Sequence, residues 1–316
     1  LTILNKNNYG YISPSDFNLL AQNAQMELYE EYYSSYNKTI NAENSRMSGT
    51  EYADIEKPIA ETLENFLVSD FLIPKQTASG IDINNFYMPS LTTTGNAAYM
   101  INKITAYTNK LAEGYTDNTS PFTLEDSSAD FIADGVAVGD IVINATTFKS
   151  SIVQVVSSAT VLYLYDDIFQ DPASYEDYFI YSSKNYAEAD KASNVNIALL
   201  NKSLLTAPSL IYPSYSVNGE IISVFPNTIV GYGAIKADYF RYPKVPKWTY
   251  TTLSSGEPVF NQSQPDYQDF ELPTEDEYKL VTKILEYCGI VIREIEVSQF
   301  GSAQQQHEQP TFSMQQ

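Results

Sequence analysis

Five short runs of alternating apolar and polar residues lie between residues 115 and 183, and they constrain the fold more than any other feature of the sequence. The runs are PFTLED, GDIVIN, SSIVQVV, TVLYLY and DYFIYSS, separated by clusters of Gly, Asp, Asn and Ser. Such alternation is typical of strands that bury one face, and closely spaced turn residues favour antiparallel connections. The sequence therefore predicts a small antiparallel β-barrel or sandwich here.

The same region differs from the rest of the chain in charge. Residues 116–183 contain eleven acidic side chains and one basic side chain, Lys149, a local net charge of −10 in a chain of net charge −21. A region with so large a share of the charge has a surface character of its own. We therefore predict that residues 116–183 form an inserted acidic β domain.

A long N-terminal helix is predicted from Ser13, which can cap it, to about Tyr36. Its apolar arc is wider than one core contact requires. Two interpretations stay open: the helix is sandwiched inside its own domain, or its tyrosine edge contacts a neighbouring subunit. The candidate contact residues on this edge are Met26, Tyr29, Tyr33 and Tyr36.

The rest of the chain mixes helical and extended patterns. Helices are predicted over about 59–68 and 184–207, and C-terminal helices after residue 274, with an interruption at Gly289. The Asn218-Gly219 dipeptide predicts a β-hairpin, and a strand is expected over 228–240.

The predicted fold class is α+β: a helical body with an antiparallel β-sheet and an inserted small antiparallel β-barrel or sandwich domain. Residues 1–115 are expected to form the helical N-terminal part of the body, and 116–183 the acidic β insert. Residues 184–300 should complete the body with a helix, a hairpin, an extended Pro/aromatic arm and C-terminal helices. Residues 301–316 form a Gln-rich tail, and such a tail is most easily ordered by a partner, with Phe312 as a candidate contact.

The stretch YFRYPKVPKWTY, residues 239–250, combines aromatic rings and cations in an otherwise acidic chain. Pro243 and Pro246 prevent it from continuing as a central strand, because proline has no amide donor. The arm could pack on its own chain, stack on a ligand or dock on another protein. In the docking interpretation its cations reach the acidic insert of a neighbouring copy, and the candidate contacts are Tyr239, Arg241, Tyr242, Lys244, Lys247 and Trp248.

Residues that usually carry catalysis are scarce. His307, the only histidine, lies in the tail, and Cys288 is the only cysteine, so neither a nucleophile–histidine pair nor a cysteine zinc site is expected. Neighbouring carboxylates on a strand face opposite ways, which suits neither a glycosidase pair nor a shared metal; they are Asp166, Asp167, Glu176 and Asp177. We predict no enzymatic activity and no cofactor.

An aspartate run between residues 126 and 140 is the remaining candidate for a metal. Its carboxylates could bring oxygens to calcium, but their spacing departs from the calcium-loop template and the closing Glu is missing. Turn capping and solubility explain these residues more simply, so no metal site is predicted. The residues are Asp126, Asp130, Asp134 and Asp140.

Several stretches resemble virion structural proteins of tailed bacteriophages, especially crAss-like and related short-tailed phages. They are YFRYPKVPKWTY and DYQDFELPTEDEYKLVTKILEYCGIVIREIEV near the C-terminus, SPSDFNLLAQNAQMELYEEYY near the N-terminus, and FIADGVAVGDIVIN with VLYLYDDIF in the middle. The resemblance implies a head-to-tail connector at the portal vertex, between the portal protein and the tail, in a virion assembled in the host cytoplasm. It also implies a homo-oligomeric ring, commonly of about twelve copies, that meets portal and other connector or tail proteins.

Charge and hydropathy agree with a channel-forming role. A net charge of −21 repels nucleic acid phosphates, so DNA could pass such a ring without specific binding. No stretch approaches the ~18 apolar residues of a membrane span, so no membrane is expected as a partner. Two alternatives remain: a glycan-binding tail or surface protein that uses Trp248 and tyrosine rings, and a polysaccharide hydrolase that uses the paired carboxylates.

Overall fold

The computed structural model describes residues 12–46, 57–77, 80–117, 120–169, 175–254 and 258–292. The predicted α+β class is confirmed, but sheets make up most of the regular structure and a helical body is not evident. The chain divides into two compact units. The first comprises Leu1–Phe66 and Pro243–Gln316, and the second comprises Leu67–Tyr242.

The described residues of the first unit form three α-helices, a short 3₁₀ helix at Thr274–Asp276 and a two-stranded sheet: α1 Pro14–Arg46, α2 Lys57–Glu64, β16 Tyr250–Thr252, β17 Pro258–Phe260 and α4 Glu277–Ile292. Helix α1 begins as predicted, because the hydroxyl of Ser13 accepts a hydrogen bond from the amide of Asp16 at 3.1 Å. Helix α4 continues through Gly289, so the predicted interruption there is wrong. Helices α1 and α4 pack together, and Leu28 of α1 is buried.

The second unit contains the other strands and helix α3. The strands are β1 Leu67–Phe71, β2 Pro74–Thr77, β3 Gly80–Tyr87, β4 Ala98–Tyr107, β5 Lys110–Tyr115, β6 Thr123–Glu125, β7 Ile141–Asn144, β8 Ser150–Val156, β9 Val161–Leu164, β10 Asp177–Tyr181, β11 Tyr186–Glu188, β12 Asp190–Lys191, β13 Ser214–Asn218, β14 Ile221–Phe225 and β15 Ile235–Arg241; α3 is Asn194–Leu200.

Two of the sheets in the second unit share one hydrophobic core. Their strand orders are β1-β15-β4-β11 and β12-β13-β14-β3-β2, and all pairs are antiparallel except β12–β13. The alternating pattern of β15 sends Ile235, Ala237 and Tyr239 into this core, where they meet Ile222 and Val224 of β14.

The third sheet is formed by the residues that the alternating runs mark as strands. Its order is β5-β10-β7-β8-β9-β6, and each strand contributes side chains to a single core, so the sheet curls into a half-barrel. The predicted acidic insert, 116–183, lies within the second unit, and the sheet extends N-terminally to Lys110. Two of its side chains, Ile143 and Tyr181, also reach the core of the other two sheets.

The predicted helix over 184–207 is largely wrong. Its first residues form β11, which pairs with β4, and β12, which pairs in parallel with β13. Only Asn194–Leu200 is helical, where the Ser193 hydroxyl caps the amide of Asn196. Pairing with distant strands has overridden the local helical preference of this segment.

The hairpin at Asn218-Gly219 is confirmed, with a different turn from the expected one. Asn218 pairs with Ile221, so the two central residues are Gly219 and Glu220. Gly219 has φ +63° and comes first, which is the arrangement of a type II′ turn. The predicted helix over 59–68 ends at Glu64, because Leu67 and Val68 already belong to strand β1 and pair with β15.

Among the helices in the described part of the chain, none has both the length and the apolar character that a membrane crossing requires.

Candidate interaction surfaces

The segment after Pro243 packs on its own unit through backbone hydrogen bonds on both sides. The Trp248 amide donates to Asn18 Oδ1 at 2.8 Å, and Asn18 Nδ2 donates back to the Trp248 carbonyl at 3.2 Å. The Lys247 amide donates to the Gln268 carbonyl at 2.8 Å. The structure therefore shows that the backbone of this arm packs on its own chain, the first of the three uses considered.

Aromatic rings gather around Trp248. Its ring stacks on Tyr250 with centroids 5.5 Å apart and on Phe260 at 6.2 Å, and Phe17 meets it edge-on at 6.3 Å. A cleft of about 320 Å³ borders this cluster, and its lining also includes Asn18, Gln268 and Asp269. Aromatic faces beside amide and carboxylate groups are the components of a sugar-binding cleft, although two neighbouring rings already stack on Trp248.

The lysines of this segment have carboxylate partners in their own unit. Lys244 lies 3.9 Å from Glu271, and Lys247 forms an ion pair with Asp266. The hydrogen bond from Lys247 lowers the pKa of Asp266. Arg241 donates to the Tyr242 carbonyl at 3.2 Å. The lysine side chains are exposed, but their charges are balanced within the chain, so a role on a neighbouring copy remains a prediction.

Tyr239 belongs to the core, not to a surface. It is fully buried, and its hydroxyl donates to Asp70 Oδ2 at 2.7 Å. Tyr239 is therefore removed from the predicted contact set, because strand β15 turns its ring inward. Tyr242 remains exposed and meets Tyr99 edge-on at 5.2 Å.

The tyrosine edge of α1 is only partly available to a partner. Tyr29 is fully buried and packs edge-on against Phe66 at 5.0 Å, so it too leaves the predicted contact set. Met26, Tyr33 and Tyr36 are half-buried. Phe312 lies outside the described residues.

The paired carboxylates make separate local contacts. Asp167 Oδ1 accepts from the Phe122 amide at 3.3 Å, and the Asp166 amide donates to the Ser151 hydroxyl at 2.8 Å. Glu176 is buried with Oε2 unpartnered, whereas Asp177 begins strand β10. The alternative of a polysaccharide hydrolase that uses these carboxylates remains a prediction.

The aspartate run caps turns. Asp126 accepts from the Ser128 amide and hydroxyl at 2.8 and 2.6 Å, Asp130 from the Ala133 amide at 3.0 Å, and Asp140 from the Ala137 amide at 2.9 Å. Across the described ranges, no group of three or more His, Cys, Asp or Glu side chains is placed to hold a metal ion. Turn capping accounts for these three aspartates.

Two exposed apolar surfaces in the second unit were missed by the sequence analysis. The first, the 194–212 segment, runs from helix α3 to the start of β13. Leu204 and Leu205 are 104 % and 93 % exposed, and the other exposed apolar side chains of the segment are Val195, Leu199, Leu210, Ile211 and Tyr212. In α3 only Ile197 is buried. The predicted helix over 184–207 led us to expect that its leucines were buried, since the apolar face of a helix normally packs on a core.

The second surface, the β8–β9 stripe, lies on the outer face of the half-barrel. It comprises the exposed side chains of Phe122, Ile152, Val155, Tyr163 and Tyr165. Val155 and Tyr163 are cross-strand partners, and the Tyr165 amide donates to the Ile152 carbonyl at 3.1 Å. The signal was present in the sequence, because SSIVQVV and TVLYLY carry apolar residues at both alternating sets of positions.

Comparison of the sequence with protein-family models and with curated proteins found no match.

Proposed function

We propose that this protein is a non-catalytic structural subunit that assembles with copies of itself into a ring. On the sequence resemblance, we place the ring at the portal vertex of a tailed-phage virion, where it connects the portal protein to the tail and encloses the DNA channel. A closed ring of about twelve copies, each with two neighbours through a heterologous contact, follows from the same resemblance.

One observation carries the self-assembly part of this proposal: large apolar side chains are collected on two exposed surfaces of the second unit. Contiguous exposed apolar patches on a folded chain mark sites of association. A net charge of −21 makes single copies repel one another in solution. Association therefore requires specific contacts that outweigh this electrostatic repulsion.

The proposal also assigns a role to each unit. Helices α1, α2 and α4 would supply the helical part of the connector, and the half-barrel would be its small inserted β domain. The acidic surface of 116–183 would disfavour contact with DNA phosphates, whether it faces the channel or the outside.

Native mass spectrometry of the purified chain at rising concentration, alone and mixed with the portal protein of the same virion, tests this function. We expect a discrete closed oligomer, or its formation when portal protein is added. A chain that stays monomeric in both conditions contradicts the proposal.

The aromatic cleft favours glycan binding as a second candidate function. The stacked rings of Trp248 and Phe260 beside Gln268 are its basis. A glycan array probed with the full chain and with Trp248→Ala tests it. Binding that is lost in the variant supports this candidate, and an array without binding rejects it.

A further inference from the structure

The 194–212 segment holds a defined shape although its apolar side chains lack a core. Successive turns are closed by hydrogen bonds from the Asn201 amide to the Ile197 carbonyl at 3.0 Å and from the Ala207 amide to the Ser203 carbonyl at 2.9 Å. The Ser209 amide donates to the Tyr212 carbonyl at 3.1 Å. A shape fixed before binding reduces the entropy cost of docking, so the segment is preorganised for a partner.

The β8–β9 stripe has a rigid sheet behind it. Opposite its exposed residues, Val153, Leu162 and Leu164 are completely or almost completely buried in the half-barrel core. At one end, Phe122 holds φ +59° while its ring is exposed. A bulky residue in the left-handed region is strained, and such strain is typical of sites that do more than stabilise the fold.

The two surfaces are complementary in charge. The 194–212 segment carries one charged side chain, Lys202, and no Asp or Glu, in a chain with 39 acidic side chains. The stripe lies in the acidic 116–183 region, and Asp166 and Asp167 directly follow Tyr165. The positive charge on the segment and the two carboxylates beside the stripe therefore favour contact between these two apolar surfaces.

We infer that the 194–212 segment of one copy docks on the β8–β9 stripe of the next copy, a contact that rests on the ring-forming function proposed above. Both surfaces are exposed in the isolated chain, so neither covers the other within one copy. Because they are different surfaces, the contact is heterologous, and each copy keeps a free segment at one side and a free stripe at the other. Repetition of this contact builds a chain of copies, which becomes a ring where the rotation between neighbours closes.

Two variants, each with one surface disabled, test the inference by native mass spectrometry and sedimentation velocity. Leu204→Asp/Leu205→Asp disables the segment, and Ile152→Lys/Tyr163→Lys disables the stripe. We expect each variant alone to assemble at least about tenfold more weakly than the wild type, because a charge replaces a buried apolar group. Mixed together, they should form dimers with one copy of each and nothing larger, since only one intact pair of surfaces remains.

Matched controls place the same charges elsewhere on the second unit. Leu91→Asp and Tyr115→Lys change exposed side chains outside both surfaces and should assemble like the wild type. Circular dichroism and thermal melting should show that all variants fold.

Each other outcome overturns the inference in a recognisable way. Wild-type assembly that persists in both double variants rejects this contact and leaves the proposed function standing, whereas a monomeric wild type rejects both. Self-association of the stripe variant through its intact segment shows an isologous contact instead. Binding of the wild type to phosphatidylcholine–phosphatidylserine vesicles, lost in Leu204→Asp/Leu205→Asp while the stripe variant assembles normally, assigns the segment to a lipid surface.

Discussion

The ammonium group of Lys283 on α4 lies 2.7 Å from Glu31 and 2.8 Å from Glu27, both on α1. The lysine side chain is only 6 % exposed, whereas Glu27 and Glu31 are 45 % and 54 % exposed. Burial by itself lowers the pKa of Lys283, but its hydrogen bonds to the two carboxylates reverse this and leave the pKa raised. The lysine thus joins the two helices of the first unit while its partners stay in contact with water.

Replacement of Lys283 by Met should lower the free energy of unfolding by about 1–2 kcal/mol, a modest loss because the carboxylates remain solvated. Chemical denaturation measures it. Lys279→Met is the matched control, since Lys279 bonds Asp276 at 2.8 Å from an exposed position and should cost under about 0.5 kcal/mol. Equal losses in the two variants would contradict the special role of the buried lysine.

The same ion pairs predict a dependence on pH. Burial raises the pKa of Glu27, but hydrogen bonds from Lys283 and Tyr287 outweigh it and leave the pKa below its ordinary 4.5. This contribution to stability is present above pH 4.5 and is lost as pH falls through the lowered pKa. The contribution from Lys283 is present below its ordinary pKa of 10.5 and is lost above it. The difference in free energy of unfolding between the wild type and Lys283→Met should therefore decrease below the ordinary pKa of 4.5 and above the ordinary pKa of 10.5. Chemical denaturation at a series of pH values measures this difference.

Inside the half-barrel, the buried hydroxyl of Tyr178 donates to Asp126 Oδ2 at 2.6 Å. Tyr178→Phe should lower the free energy of unfolding by about 1–2 kcal/mol, because a buried carboxylate oxygen loses its donor. Tyr115→Phe removes an exposed hydroxyl from the same sheet and serves as the control, with an expected change near zero. A loss in Tyr178→Phe no larger than in the control would contradict the stabilising role of the buried hydrogen bond.

Gly233 lies where the loop before β15 meets the half-barrel. A Cβ there would come within 1.8 Å of Ile143 Cδ1, and φ is +77°. Gly233→Ala should cost about 3 kcal/mol, the sum of backbone strain and overpacking. Gly95→Ala separates the two effects, because Gly95 has φ +78° with open space around it and should cost about 1 kcal/mol. Similar melting temperatures for both variants would contradict the close packing at Ile143.

Local chemistry made several elements predictable. Ser13 caps α1, Gly219 begins the turn of a hairpin, and the alternating runs become strands, because each depends on residues that are neighbours in sequence. Tyr29 and Tyr239 were misplaced for the opposite reason. Their burial depends on Phe66 and Asp70, whose positions are set by tertiary packing that a helical wheel or a strand pattern cannot supply.

The candidate surfaces were less predictable than the fold. Exposure of Leu204 and Leu205 contradicts the general preference of leucine for the core, and composition gives no way to identify such an exception. The lysines at 244 and 247 were predicted to be available to another copy, but Glu271 and Asp266, which lie 27 and 19 residues further along the chain, form ion pairs with them.

The first and last strands of the half-barrel in chain order, β5 and β10, lie side by side, and Lys110 pairs with Tyr181. Just outside the half-barrel, Tyr107 of β4 pairs with Tyr186 of β11. The ends of this segment therefore lie on neighbouring strands. An exchange of the residues between them for another module or a short turn can leave the Tyr107–Tyr186 register unchanged. Related chains with a different module, or with a short turn, between these two tyrosines would be the trace of such an exchange.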